Sequence, residues 1–120
     1  MTDKSNSIAQ QNDDFRKCMG NPLFIGPRIP GKYMMSQGVS CLPTDQQIEI
    51  LIKTREYDDF DKNNNPHGER DMGRFQLENN KTDILLKIDY YDVNYEYGSE
   101  DPSNLSITRR VLTTMLSCEY

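Results

Sequence analysis

The amino-acid sequence predicts an α+β domain: a small three-stranded antiparallel sheet packed by about three helices, in the order α-β-α-β-β-α. Three observations lead there. Two adjoining segments in the C-terminal half alternate apolar and polar residues with period two, the repeat of a half-buried strand. Two other segments, around Ile48 and around Leu112, group their apolar residues at helical spacing. A chain of 120 residues has the length of one domain and buries roughly two-thirds of its unfolded surface around one core.

Residues 1–6 are polar and unpatterned, as expected of a flexible end, which leaves 7–120 as the single α+β domain. Ile8, Phe15, Cys18 and Met19 space a short helix that stops at Gly20, with Asn21-Pro22 beyond. Between 21 and 31, Pro22, Pro27 and Pro30 with Gly26 and Gly31 impose a loop. Lys32–Ser36 suits a short strand before the turn-like Gln37-Gly38. Thr44 and Gln47 form a capping box for a helix over 45–56, with Ile48, Leu51, Ile52 and Arg55 on one face. Tyr57 to Asp71 is rich in Asn, Asp, Gly and Pro, a structured loop. Phe75 and Leu77 then alternate with Arg74, Gln76 and Glu78. Ile84, Leu86, Ile88 and Tyr90 alternate with Leu85, Lys87 and Asp89, and Asn79-Asn80-Lys81 joins the two strands as a hairpin. Gly98 to Pro102 breaks the pattern, and Ser106 caps a final helix with Val111, Leu112, Met115 and Leu116 on one face.

Fourteen Lys plus Arg against nineteen Asp plus Glu give a net charge of −5. A phosphate-backbone binder needs a basic face, so direct nucleic-acid binding is not expected, whereas a basic protein partner is suited. Cys18, Cys41 and Cys118 are an odd set without CxxC spacing, which suggests neither a disulfide framework nor a zinc ribbon and points to reduced packing residues in the cytoplasm. No apolar run approaches the ~20 residues of a membrane span, and Met1 to Asp14 is polar where a signal peptide is apolar. No cofactor is expected, and the oligomeric state is left open.

The stretches NNPHGERDMG (64–73), KIDYYD (87–92), GSEDP (98–102) and TRRVLTTMLSCEY (108–120) resemble a family of small bacterial proteins known only as a domain of unknown function, common on proteobacterial plasmids and mobile elements. The resemblance covers roughly residues 10 to 120. Asn65, Arg70, Met72 and Leu86 depart from the family's usual residues. The family brings no chemistry to carry over, but its setting implies plasmid maintenance or evasion of host defence.

The densest feature is DYYDVNYEYGSED, residues 89–101, which holds four of the seven tyrosines, while no Lys or Arg occurs from Ile88 to Ser106. Tyrosine offers amphipathic contact area at small entropic cost, and carboxylates receive Arg and Lys. Asp89, Tyr91, Asp92, Tyr95, Glu96, Tyr97, Glu100 and Asp101 are therefore the candidate partner-binding residues. The competing reading makes the alternate residues core and the carboxylates caps. A second cluster joins His67, Glu69 and Asp71 with Asp58, Asp59 and Asp61, and with Asp89 and Asp92 it suits Mg²⁺ or Ca²⁺ or an acid–base pair. No recognised metal spacing supports it. Arg70 is expected to pair with Asp71, Glu69 or a strand carboxylate, and Arg109 or Arg110 to reach back to the 89–101 segment. The leading expectation is a non-enzymatic inhibitor, anti-CRISPR or antirestriction, that docks its acidic, Tyr-rich face on the basic nucleic-acid site of a defence complex. The alternative is a metal-dependent hydrolase using the HGERD segment and Asp89.

Overall fold

The computed structural model describes residues 3–60, 65–79 and 81–120. Helix α1 spans Asp3–Cys18, beginning ahead of the expected start at Ser7, and the chain leaves it through Gly20 at φ 62°, a left-handed turn that suits glycine. Strand β1 (Gly31–Met35) follows the proline-rich loop. The short helix α2 (Gln37–Ser40) is capped by the Ser36 hydroxyl, which accepts from the Val39 N–H. Then come α3 (Thr44–Glu56), β2 (Met72–Gln76), β3 (Asp83–Tyr91), β4 (Arg109–Leu116) and a 3₁₀ turn, Ser117–Glu119. The hairpin between β2 and β3 closes through Leu77 N–H to the Thr82 carbonyl; Asn80, part of its expected tip, lies outside the described residues.

The four strands are ordered β1-β4-β3-β2, with β1 parallel to β4 and the other pairs antiparallel. Two expectations are corrected by this topology. The sheet is four-stranded and mixed, not three-stranded and antiparallel, and the expected C-terminal helix is strand β4. The inward positions of β4 are Arg110, Leu112 and Thr114, exposed by only 0%, 0% and 3%. Two of these three are polar, so the period-two signal is hidden and Val111, Leu112, Met115 and Leu116 mimic a helical stripe. The β-branched Val111, Thr113 and Thr114 favour the extended chain.

The core lies on one side of the sheet. Phe15 of α1 and Met19 just beyond its end close over Ile88 and Leu112, with Ile29. Ile50 of α3 and Val39 of α2 close over Ile84 and Leu77. Full burial of such a side chain contributes roughly 1.5–3 kcal/mol. Helix α3 turns inward a face other than its apolar spacing implies: Ile50 and Thr54 are buried, whereas Ile48 and Ile52 are 52% and 40% exposed. Thr44 does not cap it either. The N-cap is Pro43, without a side-chain bond, and Gln47 Nε2 instead donates to the Ser40 and Leu42 carbonyls, fastening the α2–α3 corner.

The other sheet face carries Leu85, Lys87, Asp89 and Tyr91 of β3 opposite Met115, Thr113, Val111 and Arg109 of β4. Both core clusters lie on the opposite side. Among the described residues no helix is long and apolar enough to cross a membrane.

Candidate functional site

Two loops converge at the α1 end of the sheet, and a buried polar network that composition does not reveal joins them. Its hub is Asn12, fully buried on α1. Asn12 Nδ2 donates to the Glu69 carbonyl at 2.9 Å and to Tyr90 Oη at 2.8 Å, while Oδ1 accepts from Arg110 Nε at 2.6 Å. Tyr90 Oη donates in turn to the Glu69 carboxylate at 2.9 Å. Arg110, itself fully buried, also donates to Gln11 Oε1 at 3.0 Å and the Pro102 carbonyl at 3.2 Å. Its guanidinium lies 5.1 Å from the centre of the Tyr90 ring. Burial lowers the Arg110 pKa from its ordinary value, opposed by the fields of Tyr90 and Glu69. Burial likewise pushes the Tyr90 hydroxyl far above its ordinary value and keeps it a donor.

A second network holds the HGERD loop. Asp13 accepts from Arg16 Nη1 and from Arg70 Nε, each at 2.9 Å. Arg70 therefore pairs with a carboxylate on α1 and not with Glu69, Asp71 or a strand. Its φ of 56° is a left-handed conformation that is uncommon outside glycine, and its guanidinium stands 4.3 Å over the Phe60 ring. Arg16, also buried, donates to the Tyr57 carbonyl at 2.8 Å. His67 is exposed and Asp71 half-buried. The Asp71 carboxyl is raised above its ordinary 3.8, first by burial and then by the charges of Glu69 and Asp89. Asp61 lies outside the described residues. Among the described residues no three His, Cys, Asp or Glu side chains converge as metal ligands do.

The eight residues expected to bind a partner divide into two groups. Asp89 sits on the outer sheet face beside Lys87, 2.7 Å from its ammonium, and Tyr91 stands on the same face, half-buried. Asp92 Oδ1 accepts from the Asn94 and Glu96 N–H groups and so caps its own turn. Tyr95, at φ 58°, lies under Lys32, whose Nζ is 4.1 Å from the ring centre. Asp101 accepts from the Ser103 N–H and hydroxyl and pairs with Lys4 at 3.5 Å. Asp92, Tyr95 and Asp101 thus hold the local fold of the loop. Glu96, Tyr97 and Glu100 remain exposed, Tyr97 by 73%, and Asp92, Tyr97, Gly98, Glu100 and Ile107 line a groove of about 370 Å³.

Arg109 and Arg110 do not reach the carboxylates of the 89–101 segment. Arg109 Nη1 donates to the Leu105 and Thr108 carbonyls, and the acceptors of Arg110 are neutral. Nor do the cysteines pack in the core: Cys41 and Cys118 are exposed, and half-buried Cys18 accepts from Arg28 Nη1 at 2.8 Å. Asn12, Arg16 and Arg110 were invisible to sequence reasoning because each is a polar residue at a core position, and only periodicity along α1 and β4 could have flagged them.

No curated protein and no solved structure matches the chain. A family model described as "Protein of unknown function (DUF3768)" matches residues 35–119, a span that holds the HGERD loop, Tyr90 and Arg110 but not α1, which supplies Asn12 and Asp13. With the greater part of its length matched in this way, the chain belongs to the DUF3768 family.

Proposed function

We propose that the protein is a non-enzymatic binding protein that docks the face of its 92–101 loop on a basic surface of a partner protein. One observation supports this most: Glu96, Tyr97 and Glu100 have no side-chain partner among the described residues, and Val93 and Ile107 beside them are 46% and 38% exposed. Carboxylates around an exposed tyrosine and two aliphatic side chains match the make-up of a protein interface, with an apolar anchor inside a charged rim. A stable complex buries about 800 Å² on each partner, more than the loop offers alone. The outer sheet face with Tyr91 and the Lys87–Asp89 pair extends the surface. The finer reading is an inhibitor from a mobile element that covers the nucleic-acid site of a CRISPR effector or restriction complex. It draws on the acidity of this loop and on the plasmid setting of the resembling proteins.

The test is retention of the purified protein on immobilised CRISPR effector and restriction complexes, for wild type and for E96K/Y97A/E100K. Binding that weakens with salt and falls about a hundredfold in the triple variant, or roughly 2.7 kcal/mol, is expected. Retention on no complex removes the inhibitor reading, and equal retention of the triple variant removes this surface.

A hydrolase reading has one observation in its favour, the Asp71 carboxyl, raised first by burial and then by the charges of Glu69 and Asp89. Thermal-shift scans with Mg²⁺, Mn²⁺, Ca²⁺ and Zn²⁺ test it, because binding to the native state must raise its apparent stability. It is the weaker reading, since Tyr90 already occupies one Glu69 oxygen.

A further inference from the structure

We propose that the open edge of β1 receives an extended, acidic segment of a partner protein as a fifth strand, seating an apolar side chain in the groove between β1, the turn after α1 and helix α3. Strand β1 is an edge of the sheet, and its hydrogen-bonding phase is known. The Arg110 N–H donates to the Pro30 carbonyl at 3.2 Å, and the Ser36 N–H donates to the Thr114 carbonyl at 2.9 Å. In a parallel pair alternate residues turn both backbone groups to the neighbour. Residues 30, 32, 34 and 36 thus face β4, and Gly31, Tyr33 and Met35 turn their N–H and C=O groups outward. Among the described residues no backbone or side-chain group takes them up. Proteins guard such edges with charge, proline, bulges or covering elements. Here the only charge within the strand is Lys32, on the face where it meets Tyr95.

Beside this edge lies a groove of about 270 Å³ lined mainly by Met19, Tyr33, Met35, Ile50 and Leu51. Its wall is preformed: the Tyr33 ring stacks on Phe15 at 4.5 Å, and the Tyr33 hydroxyl donates to the Phe15 carbonyl at 2.7 Å. Apolar surface continues outward on Met34 and Met35, 51% and 53% exposed, and on Ile48 and Ile52 of α3. A strand edge flanking a helix-walled apolar groove is the geometry of strand addition, in which the main chain gives affinity and a pocket reads alternate side chains. Charge selects the occupant. From Phe15 to Thr44 the chain has no Asp or Glu but has Arg16, Lys17, Arg28 and Lys32, and the last three are exposed. Glu119, beyond the end of β1, is engaged by the Ser36 hydroxyl and the Gly38 N–H. A segment bearing Asp or Glu is thus favoured here, in a chain that is acidic elsewhere.

Selection of a random-peptide phage library against the full chain, followed by synthesis of the enriched peptide, tests this. Enriched sequences should alternate apolar with acidic residues, and replacing the acidic residues by Lys should weaken binding about tenfold or more. Hydrogen exchange by NMR gives the site. In the free protein the Tyr33 and Met35 amides should exchange fast and those of Lys32 and Met34 slowly, and saturating peptide should protect Tyr33 and Met35. Met35→Pro removes an outward N–H without touching a β1–β4 bond and should abolish binding. R28E/K32E, which reverses two exposed charges and leaves every β1 backbone group in place, should weaken it about tenfold if the proline variant fails to fold. No enrichment, lysine peptides that bind equally, or Tyr33 and Met35 amides left unprotected at saturation would overturn the proposal. Protection of those amides that rises with protein concentration alone would overturn it too, by making a second copy the occupant.

Discussion

Asn12→Ala is expected to cost about 3–7 kcal/mol of stability, a large part of the 5–15 kcal/mol of an ordinary domain. The substitution removes three hydrogen bonds at once. The bonds to the Glu69 carbonyl and Tyr90 Oη join half-buried groups and are worth roughly 0.5–1.5 kcal/mol each. The bond to Arg110 Nε matters more, because a fully buried cationic donor is left without its acceptor, at about 1–3 kcal/mol. The small cavity adds about 1 kcal/mol. Arg110→Met behaves differently: it takes away the burial penalty of the charge together with the bonds and leaves fully buried Asn12 Oδ1 and half-buried Gln11 Oε1 and Pro102 carbonyl without this donor, so about 1–3 kcal/mol is expected. In N12A/R110M the orphaned donor and acceptor disappear together, and the double variant should be less destabilised than the sum of the singles by at least about 1 kcal/mol. Urea unfolding followed by circular dichroism reads all three. With a slope near 2 kcal/mol/M, Asn12→Ala should shift the midpoint by about 1.5–3.5 M at unchanged slope. An Asn12→Ala cost below about 1 kcal/mol, or additivity within about 0.5 kcal/mol, would refute the view that this network fastens α1 to the sheet.

Gly73→Ala drives a Cβ into the Tyr57 ring and should destabilise by about 1–3 kcal/mol through overpacking; the same unfolding assay should show partial recovery in G73A/Y57L. Asp71 has a raised folded-state pKa, so the native state is penalised at neutral pH and the penalty fades as pH falls through that raised value. Asp71→Asn should accordingly raise the thermal midpoint at neutral pH, with the gain shrinking on acidification in differential scanning calorimetry. Glu119 has the opposite sign: the Ser36 hydroxyl, then the Leu116 N–H, with a smaller share from the Gly38 N–H, hold its carboxyl below the ordinary 4.5. Its contribution is complete above that ordinary value and is lost as pH falls through the depressed one. Glu119→Gln should lower the midpoint at neutral pH, and the difference from wild type should close in acid scans.

Elements whose inward residues are apolar could be anticipated from sequence. Ile84, Leu86 and Ile88 alternate cleanly, and β3 lies where the pattern puts it; Gly20 ends α1 as a left-handed cap should. Elements with polar residues in the interior could not. Arg110 and Thr114 disguise β4, and buried Thr54 with exposed Ile48 and Ile52 disguises the inward face of α3. Pairing was a further obstacle, since the parallel match of Gly31–Met35 with Arg110–Thr114 joins segments too distant for any local signal. The acidic loop was visible as a charge gap, but whether a carboxylate there faces outward or caps a turn depends on backbone N–H groups such as those Asp92 holds. Composition does not carry that information.

The position of β4 between β1 and β3 has a consequence for how the molecule comes into being. The strand made last is an inner one, and β1, made near the start, has no neighbour until it arrives. During synthesis the β2–β3 hairpin can form from local contacts, but β1 and the apolar residues around it must wait, exposed, while a loop of some seventy residues closes between the two strands. A ribosome that stalls shortly before Arg109 therefore leaves a chain with an unpaired strand and half a core, the kind of species that aggregates or is handed to a chaperone. Synonymous codon changes that slow translation over the last strand should for this reason lower soluble yield without altering a single residue.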